Sequence, residues 1–349
     1  MTKRTAWGTT APTTEDELED RLSSPSDGVV RALAQCPGDV LVLGAGGKMG
    51  PSLARMLRRA ADLAGSDRQV IAVSRFSEPN LADALAVRGL VVQRTNLSEP
   101  KALAELPNAP NVVLMTGYKF GTSDEPWRTW GTNATIPAFV AARFREARIV
   151  AFSTGNVYPL GPVRRGGSRE DDALTPQGEY AWACVARERV LEHASRTNGT
   201  RMSIVRLNYA VDLRYGVLVD LARRVLAGEA IDLSMGYANV IWQGDANAHA
   251  IQSLALAASP PFVVNVTGSD VMSIRAAALE LGRLLNREPR FVSQEAPDAL
   301  LSSTARAQEA FGPPSVTTPM LIEWVADWAS RGGRMLGKAT HYEERGGRF

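Results

Sequence analysis

The sequence predicts an α/β protein built on a doubly wound parallel sheet with a smaller C-terminal substrate lobe. Three observations carry that expectation. Val40, Leu41, Val42 and Leu43 form an apolar run without polar alternation, as a strand buried on both faces requires. The run stops at a glycine cluster in DVLVLGAGGKMG, and helical spacing follows it. Further β-rich runs then recur with helical stretches between them, which is the pattern of parallel strands joined by crossovers.

The glycine cluster is the most specific of these signals. Gly44, Gly47 and Gly50 recur every third residue, with Gly46 among them. Glycines so spaced let the backbone turn tightly, let a pyrophosphate approach the main chain, and let the new helix pack on the strand. The helix start offers free N–H groups and the positive end of its dipole to phosphates. Lys48 and Met49 complete the loop. Small and apolar positions from Met49 to Ala64 fit the helix, with Arg55, Arg58 and Arg59 on its exposed face.

Strands are expected at 70–74, 90–93, 111–115, 148–152 and 202–206, with a short helix over 81–88 and a long one from about 180 to 195. Ligands in such sheets bind at the carboxyl ends of the strands. Arg75 after the second strand, Asn96 and Leu97 after the third, and Thr116 and Gly117 after the fourth therefore join the loop glycines as candidate cofactor contacts. From Tyr209 the pattern becomes irregular, with helices near 216–227, 246–258, 273–286, 302–311 and 318–330. The expected organisation is an N-terminal helical extension (1–38), a dinucleotide-binding Rossmann domain (39–208), a substrate lobe (209–335) from which some strands return to the sheet, and a tail (336–349). In the extension, Thr14 starts one helix and Asp27 caps another. The tail reads as a frayed end, with a lid or a swapped arm as alternatives.

Composition narrows the function. A net charge of +2 and no basic run interleaved with aromatics give no reason to expect a nucleic-acid partner. Two cysteines make no disulfide framework, and three scattered histidines make no local metal cluster, so no metal is expected and a reducing cytoplasm is the natural setting. The N-terminus lacks the apolar core of a signal peptide, and no apolar run is long enough to span a membrane.

Two later segments carry the chemistry: AFSTGNVYPL at 151–160 and GEYAWACVARERVLEH at 178–193. Together with the G-x-x-G-x-x-G loop they resemble the extended short-chain dehydrogenase/reductase family, the NAD-dependent epimerase/dehydratases, over about 39–330. The resemblance implies a small-molecule substrate, hydride exchange with a nicotinamide cofactor and a homodimer. It places Thr154 at the family's active-site hydroxyl, Tyr180 at its catalytic tyrosine, which is also expected to contact the cofactor, and Glu188 at the acidic residue eight positions further on. Tyrosine would exchange the substrate hydroxyl proton while threonine hydrogen-bonds the same oxygen.

The chain departs from the family at Cys184, where a lysine normally stands four residues after the tyrosine. A cation at ~4–6 Å shifts a pKa by about 1–3 units, and a neutral thiol cannot replace it. Lys119, in TGYKFG after the fourth strand, is the expected substitute, with a loop position or a substrate contact as the alternative. Ser74-Arg75 ends the second strand without a carboxylate, which favours NADP, with Lys48 as weak support; NAD, with Arg75 stacked on adenine, is the alternative. Asn96 is expected to bond the base. Tyr118, Asn156, Asn208 and Arg164 are expected substrate contacts, with Arg165 and Arg169 in the same loop as Arg164. Asp245 reads as a helix N-cap, and Trp242 and Gln243 as core or pocket lining. The function these readings support is an NAD(P)-dependent oxidoreductase or epimerase acting on a sugar-like or polyol substrate. The alternative is a non-catalytic sensor or scaffold that kept the cofactor site.

Overall fold

The structure, a computed structural model, describes residues 10–121 and 124–348; residues 1–9 of the expected extension and Phe349 of the tail lie outside them. Seven parallel strands form the central sheet: β1 (Val40–Leu43), β2 (Val70–Ser74), β3 (Val91–Arg94), β4 (Asn111–Leu114), β5 (Arg148–Thr154), β6 (Met202–Leu207) and β7 (Phe262–Val266). Their spatial order is β7-β6-β5-β4-β1-β2-β3. The chain thus leaves β1 to one side and returns to start β4 on the other. Such a reversal opens a crevice between the loops that follow those two strands.

β1 shows why the apolar run is continuous. Val40 and Val42 pack into the core on one face of the sheet, Leu41 and Leu43 into the core on the other, and all four are fully buried. Each such side chain contributes about 1.5–3 kcal/mol on burial. The alternating faces of a strand make both layers necessary. β3, at the edge, is more exposed.

Residues beyond β6 build a second core around Leu218, Leu221, Ile274 and Trp324. β7 returns from that region to pair in parallel with β6. A smaller cluster that contains Tyr158, Tyr180, Cys184, Met235 and Leu300 joins the two.

Three features differ from the sequence reading. Ser26, not Asp27, caps the Asp27–Gln35 helix, its hydroxyl accepting from the Val29 N–H; the hydroxyl one residue earlier has the geometry that Asp27, already helical, lacks. Arg55 is buried rather than exposed, since the Glu15–Leu22 helix covers it and supplies Glu19 and Asp20 at 3.1 and 3.0 Å. The tail is not frayed. Tyr342 is fully buried, Thr340 donates through N and Oγ1 to Asp220, and Arg345 pairs with Asp298 at 2.5 Å. Gly347 packs so closely on Gly178 that a Cβ on Gly178 would meet its carbonyl oxygen at 2.1 Å. The tail thereby reaches the start of the Glu179–Asn198 helix. No helix among the described residues is long and apolar enough to cross a membrane.

Candidate active site

Two adjoining clefts open at the carboxyl ends of the strands. The larger, about 480 Å³, runs from the glycine loop past the ends of β2 and β3 to the loop after β4. Gly44 has φ +93°, and a Cβ there would meet the Met115 carbon and the Thr116 nitrogen at 3.0 Å. Only glycine lets the loops after β1 and β4 touch in this way. Gly46, Gly47, Arg75, Asn96, Leu97, Thr116 and Gly117 line this cleft with Gly44. The Thr116 hydroxyl is buried without a hydrogen-bond partner. An open groove at the reversal point, a cradle that a Cβ would fill and an orphaned hydroxyl fit an extended polar group such as a dinucleotide.

The smaller cleft, about 220 Å³, is reached by Lys48 and Met49 from the glycine loop, Lys119 after β4, Thr154 at the end of β5 with Asn156 just beyond it, Tyr180, and Asn208 after β6. The loop that carries Asn208 places Tyr209 and Tyr215 on one wall, and the tail contributes Thr340. Four expected site residues from separate segments, Lys119, Thr154, Tyr180 and Asn208, thus share one pocket. Gly50 opens the Gly50–Leu63 helix behind the loop.

Thr154 ends β5; its hydroxyl accepts from the Asn156 N–H and donates to Asn156 Oδ1, both at 3.1 Å, and it lines the same pocket as the Tyr180 phenol. Burial pushes the Tyr180 hydroxyl far above its usual range; the neighbouring Cys184 adds to the rise, while Arg187 and the Thr154 hydroxyl oppose it. Burial likewise raises the Cys184 thiol, so this side chain stays neutral. The Lys119 ammonium lies 5.9 Å from the Tyr180 ring centroid and 5.7 Å from that of Phe120, and burial lowers its pKa to about 8.

A buried network holds this arrangement from below. Glu188 accepts from Ser153 Oγ at 2.5 Å and pairs with Arg206 at 2.7 Å. Arg206 also donates to the Tyr158 hydroxyl at 2.6 Å, and that hydroxyl donates to Asn265 at 2.8 Å. Burial pushes the Tyr158 hydroxyl up to about 12. On the other side, Arg187 donates to the Phe152 carbonyl at 2.7 Å and to both the carbonyl and the side chain of Asn133, within the π-turn Gly131–Thr135. Asn133 in turn bonds the Tyr118 backbone at 2.8 and 3.2 Å. Arg187 thus ties the loop after β4 to the end of β5. Its spacing of seven from Tyr180, on the same helical face, was a signal the sequence reading did not use.

Several expected contacts lie elsewhere. The Tyr118 hydroxyl donates to Glu125 at 2.9 Å beneath Arg128, and its side chain lines the larger cleft rather than the small pocket, because Asn133 fixes its backbone there. Arg164 is exposed and lines neither cleft, since its loop pairs outward with the Asp298–Ala299 strand. Arg165 and the Arg169 N–H are engaged by Asp172. Asn96 lines the larger cleft, but its amide donates to Glu99 and its carbonyl oxygen accepts from Ser98. Lys48 does not point toward Arg75; its ammonium crosses to the Tyr215 ring, 3.2 Å from the centroid. Asp245 is no N-cap, because it lies within the first turn of Gln243–Gln252 and accepts from Ser315 and Val316. Trp242 is core, edge-on to Trp324 at 5.5 Å, whereas Gln243 lines the small pocket and donates to Ser52.

This sheet order and paired-hydroxyl site define a Rossmann-type protein of the short-chain dehydrogenase/reductase kind. A model described as the NAD dependent epimerase/dehydratase family matches residues 40–236, and the chain belongs to that family. No curated protein sequence matches the chain. Among solved structures it is similar to a UDP-glucose 4-epimerase from Thermotoga maritima with UDP-glucose (16% identity, 84% of this chain, 99% of that one, TM-score 0.67). It is also similar to the dTDP-glucose 4,6-dehydratase of Streptomyces venezuelae with NAD bound (19%, 84% and 98%, 0.70) and to that of Bacillus anthracis in complex with NAD (13%, 84% and 97%, 0.71). At these identities the likeness concerns the fold.

Proposed function

We propose that the protein is an NAD(P)-dependent oxidoreductase or epimerase that acts on a sugar-like or polyol substrate by hydride transfer. One observation carries this reading: Thr154 and Tyr180 line one pocket that adjoins a dinucleotide-sized groove. The sugar-nucleotide enzymes that share the fold support the substrate class.

In this reading, the glycine loop with Thr116, Gly117, Asn96 and Leu97 holds the cofactor, which supplies the hydride acceptor or donor. Tyr180 exchanges the proton of the reacting carbinol, and Thr154 fixes the same oxygen. Asn156 and Asn208 orient further hydroxyls. The raised Tyr180 pKa keeps the proton on the phenol at rest, so proton removal requires a cation. Lys119 supplies that charge in place of the residue replaced by Cys184. Ser74 and Arg75, with no carboxylate lining the groove beside them, favour the 2′-phosphate of NADP over the free ribose of NAD.

The test is net nicotinamide oxidation or reduction, together with NMR detection of isomerised or dehydrated product, by wild type and Tyr180→Phe across neutral sugars, polyols, sugar acids and nucleotide sugars. Wild type turns over at least one class and the variant none. A second reading, a non-catalytic NAD(P) sensor, is favoured by the buried neutral Cys184 alone. Cofactor binding without turnover of any class would select it.

A further inference from the structure

We propose that the small pocket takes a compact polyhydroxylated anion, a sugar or polyol carrying a carboxylate or phosphate and no nucleotide, with its charged group between the ammoniums of Lys48 and Lys119. The inference rests on the function proposed above and names the substrate class of that site.

Lys48 and Lys119 come from different loops, after β1 and β4, yet both reach the small pocket and neither lines the larger groove. They are the charged residues among its described lining, which includes no carboxylate. Lys48 extends away from its own glycine loop to the Tyr215 ring, 3.2 Å from the centroid, and is 5.2 Å from that of Phe120, the ring Lys119 also faces at 5.7 Å. Two cations are therefore gathered around one aromatic-walled space. An anion there would relieve their mutual repulsion and accept charge-assisted hydrogen bonds from both ammoniums.

Acidic groups behind the wall are committed elsewhere. Asp220 accepts from Thr340, and Asp212 pairs with Arg214 at 2.9 Å. Lys338 adds a third positive charge near Lys48. The rest of the lining, Thr154, Asn156, Tyr180, Asn208, Gln243 and Thr340, suits hydroxyls.

Size restricts the ligand further. At about 220 Å³ the space is below the ~300–1,000 Å³ usual for drug-sized ligands. The tail forms part of the boundary, since Thr340 lines the pocket and the His341 ring faces Phe120 at 5.7 Å. A free sugar acid or sugar phosphate matches this volume better than a nucleotide-linked sugar.

Lys48 and Lys119 both have pKa values lowered to about 8. Burial is the first cause for each; Lys338 and Lys119 lower Lys48 further against Asp220 and Asp212, and Cys184 acts on Lys119. A bound anion raises both values, so affinity is full below pH 8 and declines above it.

The test is calorimetric titration of the full chain, free and loaded with NADPH, with glucuronate, glucose 6-phosphate, glucose and UDP-glucose. At pH 7 glucuronate or glucose 6-phosphate should bind at least tenfold tighter than glucose, and which of the two binds tighter identifies the anion. Lys48→Gln should remove that advantage, Lys48→Arg should keep it, and the NADPH titration midpoint should be the same in both variants. Equal binding of glucose, tighter binding of UDP-glucose, or a Lys48→Gln variant that loses NADPH instead of the sugar anion would overturn the proposal. Failure of NADPH to bind while the anion still binds through Lys48 would sink the oxidoreductase reading and keep the anion site.

Discussion

Tyr180 and Cys184 lie one turn apart on the Glu179–Asn198 helix, both buried in one cluster, and the neutral thiol adds to the rise of the phenol pKa. A neutral group thus stands where a cation would stabilise the tyrosinate. Cys184→Lys is expected to lower the Tyr180 pKa by about 1–3 units. The alkaline absorbance titration of the tyrosinate should move accordingly, and turnover should rise near neutral pH with a lower pH optimum. An unchanged titration would mean that the phenol is governed by burial alone.

Lys119 makes a second, opposed prediction for activity and stability. Its pKa, lowered to about 8, lies below the unfolded value of ~10.4, so the unfolded chain binds this proton more tightly. The cost of burying the charge is full below pH 8 and fades as pH rises toward the unfolded value. Lys119→Met should therefore unfold at higher urea concentration than wild type at pH 7, with the difference shrinking above pH 8. The same variant should lose turnover at pH 7, and the wild-type rate should fall as pH passes 8. A less stable variant with full activity would contradict both halves.

Local signals made much of this legible. The apolar run Val40–Leu43 and the glycines after it locate β1 and the loop that lines the larger cleft, since both depend on neighbouring residues in the chain. The resemblance of their segments singles out Thr154 and Tyr180, and the structure places both on the lining of one pocket. What stayed hidden depends on contacts distant in sequence. Nothing in the composition of Thr340–Arg345 indicates that Asp220, Arg224 and Asp298 will hold it. Arg55 looked solvent-facing because its cover, the Glu15–Leu22 helix, precedes it by some thirty residues. Tyr118 and Arg164 are near the site in sequence, but Asn133 and the Asp298–Ala299 strand turn them elsewhere.

The Glu188–Arg206 pair supports the end of β5 from within the core. Arg206→Met leaves the Glu188 carboxylate buried and uncompensated, at a cost of about 3–5 kcal/mol in urea unfolding. The double variant Glu188→Leu/Arg206→Met should recover much of that loss, because no unpaired charge remains. Additive losses would show that the two residues act independently.

Arg75 bears on cofactor choice. A charge-assisted hydrogen bond of ~1.5–3 kcal/mol to a 2′-phosphate corresponds to about 10–150-fold in affinity. Arg75→Ala should weaken NADPH by about that factor and leave NADH nearly unchanged, as read from equilibrium titrations. Equal loss for both cofactors would place Arg75 on the shared adenine instead.

The account stands most directly on nicotinamide fluorescence during titration of wild type and Tyr180→Phe with NADPH and NADH. It predicts saturable enhancement in both proteins, a tighter midpoint for NADPH, and the same midpoints in the variant, whose defect is confined to turnover. No change in fluorescence with either cofactor would contradict it.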